Sequence, residues 1–233
     1  MQPGKTNILS TALLGNRLVR TASKKGVRLV CTALIEVQAI QTSETFQAIK
    51  EVLMQSAVVV FTSKNAVQSV VPVFESKVPD WKIYCLGNTT SGLVAKYFGP
   101  RKIAGIASSA LELAHLIAEK EMSGKVVFFC GNRRRYELPG YLRSRRFIVD
   151  EIVVYNTAMH PGKITEKYCG ILFFSPSAVQ SFFMANPVPP DTVLFAIGAT
   201  TAAELKKFSA NKIIVSEKSG KENLLNKALE FFS

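Results

Sequence analysis

The chain has 233 residues, 48% hydrophobic and 20% charged, as in an ordinary soluble globular protein. No run of about 18 apolar residues occurs, which excludes a helical membrane span, and Met1–Arg20, interrupted by Asn7, Thr11 and Asn16, does not read as a signal peptide. The net charge of +12, from 29 basic and 17 acidic residues, implies an anionic partner: nucleic acid, a membrane surface, or a small molecule with several acidic groups.

Short apolar runs alternate with helical patterns along the chain. A strand at Ile8–Ser10 leads to a helix near Leu14–Lys25 and a strand at Val27–Cys31. An extended segment follows at Ala33–Ile40, then a helix at Phe46–Met54 and a strand at Ala57–Phe61. Next come helix Asn65–Val73, strand Lys82–Leu86, helix Thr90–Tyr97, a short strand near Ile103 and helix Ala110–Glu119. Strand Lys125–Cys130, helix Leu138–Arg145 and strand Phe147–Asp150 precede a second extended segment, Glu151–Thr157. The remainder reads as strand Ile171–Phe174, helix Ser177–Met184, strand Val193–Ile197, helix Thr201–Phe208, strand Lys212–Val215 and helix Asn223–Phe232. Uniformly apolar strands such as Val58–Phe61 and Ile171–Phe174 imply burial on both faces, the mark of a parallel sheet covered by helices. The expected class is therefore α/β, doubly wound.

The chain also repeats itself. Phe61-Thr62-Ser63-Lys64-Asn65-Ala66-Val67-Gln68-Ser69 returns as Phe173-Phe174-Ser175-Pro176-Ser177-Ala178-Val179-Gln180-Ser181. Leu86-Gly87-Asn88-Thr89-Thr90 returns as Ile197-Gly198-Ala199-Thr200-Thr201. Two similar small domains are expected, each a parallel sheet flanked by helices, with the ligand between them. The two extended segments read as crossover strands forming a two-stranded β-ladder linker. The first domain is then discontinuous, residues 1–34 plus 158–233. The second, 38–152, is an insertion, and 35–37 with 153–157 are the linker strands.

Each repeated turn lies where a buried strand hands over to a helix, and open α/β sheets bind ligands outside the carboxyl ends of their strands. Helix starts offer unpaired N–H groups and a positive dipole end, which favour anions. Ser63, Asn65, Ser175 and Ser177 are good N-cap types, so capping alone is the competing reading of these turns. Gly87 and Gly198 permit close backbone approach, and the threonines after them are expected to cap the next helix. Arg133-Arg134-Arg135 stand at another strand end, with a solvated basic turn as the alternative. Lys218 and Lys221 flank Ser219-Gly220 before the last helix, where a surface role is favoured.

Conventional machinery is absent. The only histidines are His115, within a helical pattern and read as a surface or packed residue, and His160. Dinucleotide, Walker, nucleophile-elbow and metal-ligand motifs are missing. Cys31, Cys85, Cys130 and Cys169 are widely spaced; Cys85 and Cys130 read as small buried hydrophobes, and the set fits a reduced, cytoplasmic protein. An enzyme built this way works by positioning and electrostatics rather than through a nucleophile.

These residues resemble the uroporphyrinogen-III synthase family over nearly the whole length. The resemblance rests on F-T-S-x-N-A-V at Phe61–Val67, C-G-N-R-R-R-x-E-L-P-x-Y-L at Cys130–Leu142, V-V-Y-x-T at Val153–Thr157, F-F-S-P-S-A-V at Phe173–Val179, and the glycine–threonine turns at Gly87–Thr90 and Gly198–Ala202. It implies a lyase without cofactor or metal. Hydroxymethylbilane would lose its hydroxyl, invert ring D through a spiro intermediate and close as uroporphyrinogen III, releasing water. Tyr155 matches the linker tyrosine thought to assist departure of the hydroxyl. Thr62, Ser63, Asn65, Thr90, Arg133, Ser175, Ser177, Thr200 and Thr201 become the expected substrate-binding set, Thr90 and Thr201 facing the cleft. The substrate's eight carboxylates would account for the basic charge. A monomer is implied, in transient contact with hydroxymethylbilane synthase and not with nucleic acid or membrane. Where the family often has T-R-P after its first strand, Ser10-Thr11-Ala12 stands here, which puts the first-strand contact in doubt. Two other readings compete: a non-catalytic two-domain clamp for a polycarboxylate or other polyanion, and nucleic-acid binding from charge alone.

Overall fold

The computed structural model describes residues 6–74, 78–218 and 220–233; Ser219 lies outside the described residues. In chain order the elements are β1 (Asn7–Ser10), α1 (Asn16–Lys24), β2 (Arg28–Cys31), β3 (Ile35–Ala39), α2 (Ser43–Leu53), β4 (Ala57–Phe61), α3 (Lys64–Val70), β5 (Trp81–Leu86), α4 (Gly87–Phe98), β6 (Ile103–Ala107), α5 (Ala110–Glu121), β7 (Lys125–Gly131), α6 (Glu137–Ser144), β8 (Ile148–Met159), β9 (Gly170–Phe173), α7 (Pro176–Phe183), β10 (Val193–Ala196), α8 (Ala199–Leu205), β11 (Ile213–Val215) and α9 (Lys221–Phe231). The α/β class with parallel sheets flanked by helices is as expected.

The chain divides into two compact units, Met1–Glu36 with Ala158–Ser233, and Val37–Thr157. Both passages from one unit to the other fall inside strands, β3 and β8. β8 corrects the sequence reading: Phe147–Asp150 and Glu151–Thr157 are not two segments but parts of one strand that runs on to Met159. Nothing between Val149 and Ile152 breaks an extended chain, since glycine and proline are absent there.

In the first unit the described strands lie in the order β11-β10-β9-β1-β2, all neighbours parallel. Successive residues alternate between faces. Ile8, Leu172 and Phe195 pack with Leu18, Ala22, Leu225 and Leu229 of α1 and α9. Leu9, Ile171, Phe173 and Leu194 pack with Val179, Phe182 and Leu205 of α7 and α8 on the opposite face. Each such side chain contributes about 1.5–3 kcal/mol by leaving water, which is why these strands read as continuous apolar runs.

In the second unit the described order is β3-β8-β7-β4-β5-β6, and the β8-β7-β4-β5-β6 pairs are parallel. Val59, Phe61, Ile83 and Phe129 face α2, α3 and α4, where Phe61 stacks on Phe129 at 5.5 Å and Trp81 lies 5.5 Å from Phe98. The Trp81 indole, buried in this cluster, donates from Nε1 to the Val52 carbonyl at 3.0 Å, so its polar edge is satisfied. Val60, Tyr84, Val126 and Phe128 face α5 and α6. Cys85 and Cys130 are buried as the sequence implies, and burial pushes their thiols up to about 11 and about 12.

Candidate functional site at the strand ends

In the second unit the chain leaves the central strand in one direction and returns on its other side. β4 leads through α3 to β5, and only after β6 does the chain come back to β7 beside β4. The first unit has the same strand layout, β10 and β11 on one side of β9 and β1 on the other, although there β1 comes first in the chain. Helices leave to opposite faces at the β4/β7 and β9/β1 pairs, so a crevice opens at the carboxyl ends of those strands, where such sheets hold ligands.

The repeated serines sit at these crevices as N-caps. Ser63 Oγ accepts from the Asn65 N–H at 3.2 Å and opens α3; Ser175 Oγ accepts from the Ala178 N–H at 3.2 Å and opens α7. Thr62 is half-buried just before the first cap. Asn65 and Ser177 lie inside the first turns rather than at the caps, both half-buried. The carbonyl of Asn65 accepts from Ser69 Oγ at 2.9 Å.

The threonine turns differ from the expectation. Thr90 and Thr201 do not cap their helices: α4 begins at Gly87 after Leu86, and α8 at Ala199 after Gly198. Gly87 adopts φ 56°, which only glycine takes without strain, and starting the helix there puts Thr90 a full turn inside. Gly198 has φ −176°, ordinary extended backbone. In both turns the second threonine is buried, Thr90 at 6% and Thr201 at 1% exposure. The first threonine, Thr89 or Thr200, is the exposed one. Thr89 was not legible as a candidate because either threonine of the pair suits a cap by residue type.

The arginine run divides by partner. Arg134 pairs through Nε with Glu151 Oε2, and Arg143 Nη2 holds the other oxygen of that carboxylate at 2.7 Å. Burial works against the Glu151 charge, but the hydrogen bonds and attraction of the two guanidinium groups outweigh it and keep the carboxyl below its usual range. Arg135 approaches Glu137 at 3.7 Å, and Arg133 is exposed at the strand-end turn. Arg134 is thereby a brace between the β7 turn and β8 rather than part of a solvated basic turn.

Tyr155 reaches the β4/β7 crevice along β8. It lies beside Gly131 in the β7–β8 register, and its ring packs against the Phe61–Phe129 cluster. A Cβ at Gly131 would stand 2.8 Å from the Tyr155 hydroxyl oxygen and closer still to its ring carbons, so only glycine admits the ring here. The phenol is pushed above the ordinary tyrosine range by burial, and the nearby Ser63 hydroxyl pulls back the other way. At neutral pH the group is a protonated donor next to a serine hydroxyl. Of the sequence candidates, the fold brings Ser63 and Tyr155 together; Gly131 and Asn132, which complete the arrangement, stand in the sequence within the Cys130–Leu142 motif but were not singled out.

The corresponding end of β1 is tied to β9. Buried Thr11 donates through Oγ1 to the Leu172 carbonyl at 2.8 Å, and its backbone N–H donates to the same oxygen at 3.0 Å. Ser10 Oγ donates to the Ala12 carbonyl at 2.6 Å. Lys221, at the start of α9, donates to the Leu13 carbonyl at 2.8 Å, which gives it a structural task in this loop. Where the family pattern has arginine, this chain therefore has a buried hydroxyl that ties β1 to β9. His115 stacks on Tyr141 at 4.2 Å, and His160 pairs with Glu36 at 3.2 Å, both on the surface. Among the described residues no cluster of three or more His, Cys, Asp or Glu could hold a metal, and no helix is long and apolar enough to cross a membrane.

A protein-family model described as uroporphyrinogen-III synthase HemD matches residues 16–226. Solved structures share the fold over nearly the full length. A mutant uroporphyrinogen III synthase from the extremely thermophilic bacterium Thermus thermophilus superposes with a TM-score of 0.76 at 11% identity, covering 97% of this chain and 98% of that one. The uroporphyrinogen-III synthetase of Helicobacter pylori does so with a TM-score of 0.64 at 17% identity, covering 97% and 99%. The wild-type Thermus thermophilus enzyme in a second crystal form gives 0.60 at 13% identity, covering 97% and 98%. The chain belongs to the uroporphyrinogen-III synthase family, enzymes of tetrapyrrole synthesis.

Proposed function

We propose that this chain cyclises hydroxymethylbilane to uroporphyrinogen III and water, as a lyase that needs no cofactor, with Tyr155 as the proton donor. The observation that carries this reading is the protonated, half-buried phenol over Gly131 beside Ser63, at the strand ends where an α/β sheet receives its ligand. The terminal C–O bond of the bilane breaks with its electron pair on oxygen. The Tyr155 proton converts that oxygen to water. The methylene cation left behind closes on the substituted α-carbon of ring D to give the spiro intermediate. The bond from that carbon to the bridge of the neighbouring ring breaks, the freed bridge methylene bonds to the unsubstituted α-carbon of ring D, and the proton that carbon loses can restore the phenol. General-acid assistance of this kind is worth about 10²–10⁴-fold in rate.

Thr62, Ser63, Asn65, Ser175 and Ser177 supply hydroxyl and backbone donors for the substrate's carboxylates, with Thr200 and Arg133 exposed for the same task. Because α3 and α8 span only seven residues each, local N–H and hydroxyl donors matter more there than the helix field. Thr90 and Thr201, being buried, shape these turns from beneath. Free cysteines suit the reducing cytoplasm, and the chain would act there as a monomer, taking its substrate from hydroxymethylbilane synthase in a transient contact.

Incubation with freshly generated hydroxymethylbilane, oxidation and chromatographic separation of the isomers tests the reading. Predominantly type III product supports it. Type I alone, as in spontaneous closure, would leave a polyanion clamp on the same fold.

A further inference from the structure

The β7–β8 ladder fails just where Tyr155 needs support. Cys130 pairs with Val153 but Gly131 pairs with Tyr155, so the register slips and Val154 has no regular partner on β7. Beyond the slip, one residue takes over from the ladder. The Asn132 backbone N–H donates to the Tyr155 carbonyl at 3.1 Å, and Asn132 Oδ1 accepts from the Thr157 N–H at 2.9 Å. The two bonds straddle Asn156 and fix the strand on both sides of it. A side-chain amide oxygen can do this because it imitates the peptide carbonyl that a longer β7 would have offered. Gly131, directly before it, leaves the space the ring occupies.

We infer that Asn132 is a positioning residue for the reaction: it clamps the end of β8 so that the Tyr155 hydroxyl stays over Gly131, beside Ser63. The inference rests on the reading of Tyr155 as proton donor. Its physical basis is that a displacement of about 1 Å at a reacting group can cost about 10²-fold in rate. Asn132 itself is exposed, so its removal should spare the fold.

The test is steady-state formation of type III isomer by the full chain carrying Asn132→Ala, Asn132→Asp, Tyr155→Phe, or Asn132→Ala with Tyr155→Phe. Asn132→Ala should lower kcat about tenfold to a hundredfold with KM within about twofold. Asn132→Asp keeps an acceptor for the Thr157 N–H and should recover most of the rate. On the Tyr155→Phe background, Asn132→Ala should cost no more than about a further twofold, because no phenol remains to be aimed. Should Asn132→Ala fail to fold, Asn132→Gln, which shifts the acceptor by one methylene, carries the same comparison. Wild-type kcat in Asn132→Ala beside an impaired Tyr155→Phe overturns the positioning role alone, as does an equal loss in both backgrounds. Wild-type turnover in Tyr155→Phe overturns the proton-donor reading, and this inference with it.

Discussion

The two crevices are built on the same frame and finished differently. Read outward from the central strand, β9-β10-β11 with β1-β2 in the first unit repeats β4-β5-β6 with β7-β8 in the second. At the end of β1 a threonine hydroxyl bonds the carbonyl of Leu172 on β9 and ties the two strand ends together. At the end of β7 stands a glycine, and the gap is occupied by a ring delivered from the next strand. That delivery depends on strand length: β2 stops at Cys31, whereas β8 continues to Met159. The comparison teaches that the frame supplies a ligand-facing edge twice, while a few residues decide which edge carries a reactive group.

Gly131→Ala should break this comparison most severely. The added Cβ overlaps the Tyr155 ring, and turnover should fall by about 10²-fold or more. Gly198→Ala, with nothing within 4 Å of its Cβ and no unusual φ, should leave turnover within about twofold. Thr11→Ala removes the side-chain tie between β1 and β9 in the first unit. It should cost about 1–2 kcal/mol, read as a lower melting temperature, with the rate of type III formation almost unchanged. The matched pair Ser63→Ala and Ser175→Ala sharpens the comparison further. Each loses one N-cap, worth about 1 kcal/mol. Only Ser63→Ala should also alter the alkaline pH dependence. The Tyr155 phenol is raised in the folded chain, so activity that needs its proton persists above the ordinary tyrosine value of about 10 and falls as pH rises through the native one. Loss of Ser63 removes the hydroxyl that pulls the phenol down, and the alkaline limb should move to still higher pH. Initial rates of type III formation across alkaline pH would read this shift in Ser63→Ala and its absence in Ser175→Ala.

Much of the frame was legible because burial on both faces leaves strands of unbroken apolar residues. Val58–Phe61 and Ile171–Phe174 could be recognised without any knowledge of their partners. Ser63 and Ser175 were legible as caps because a cap is a local event, settled by the residue and its next few neighbours. The threonine turns misled for the complementary reason. Gly87 starts α4 early by adopting a positive φ, and residue type alone does not announce that choice. The roles of Arg134 and Asn132 were hidden because each acts on a partner remote in sequence, Glu151 and Thr157, brought near only by the pairing of β7 with β8. Thr11 was visible only as a departure from a pattern; that its hydroxyl ties β1 to β9 follows from the sheet order.

The central claim, that the chemistry resides in the tyrosine over Gly131, is tested most directly by Tyr155→Phe. The rate of type III formation and the affinity for uroporphyrinogen III should be measured on the same preparation. Removing one hydroxyl leaves the ring packing in place, so product binding should stay within about twofold while turnover falls about 10²-fold or more. Turnover equal to that of the unaltered chain would contradict the account and remove Tyr155 from the mechanism.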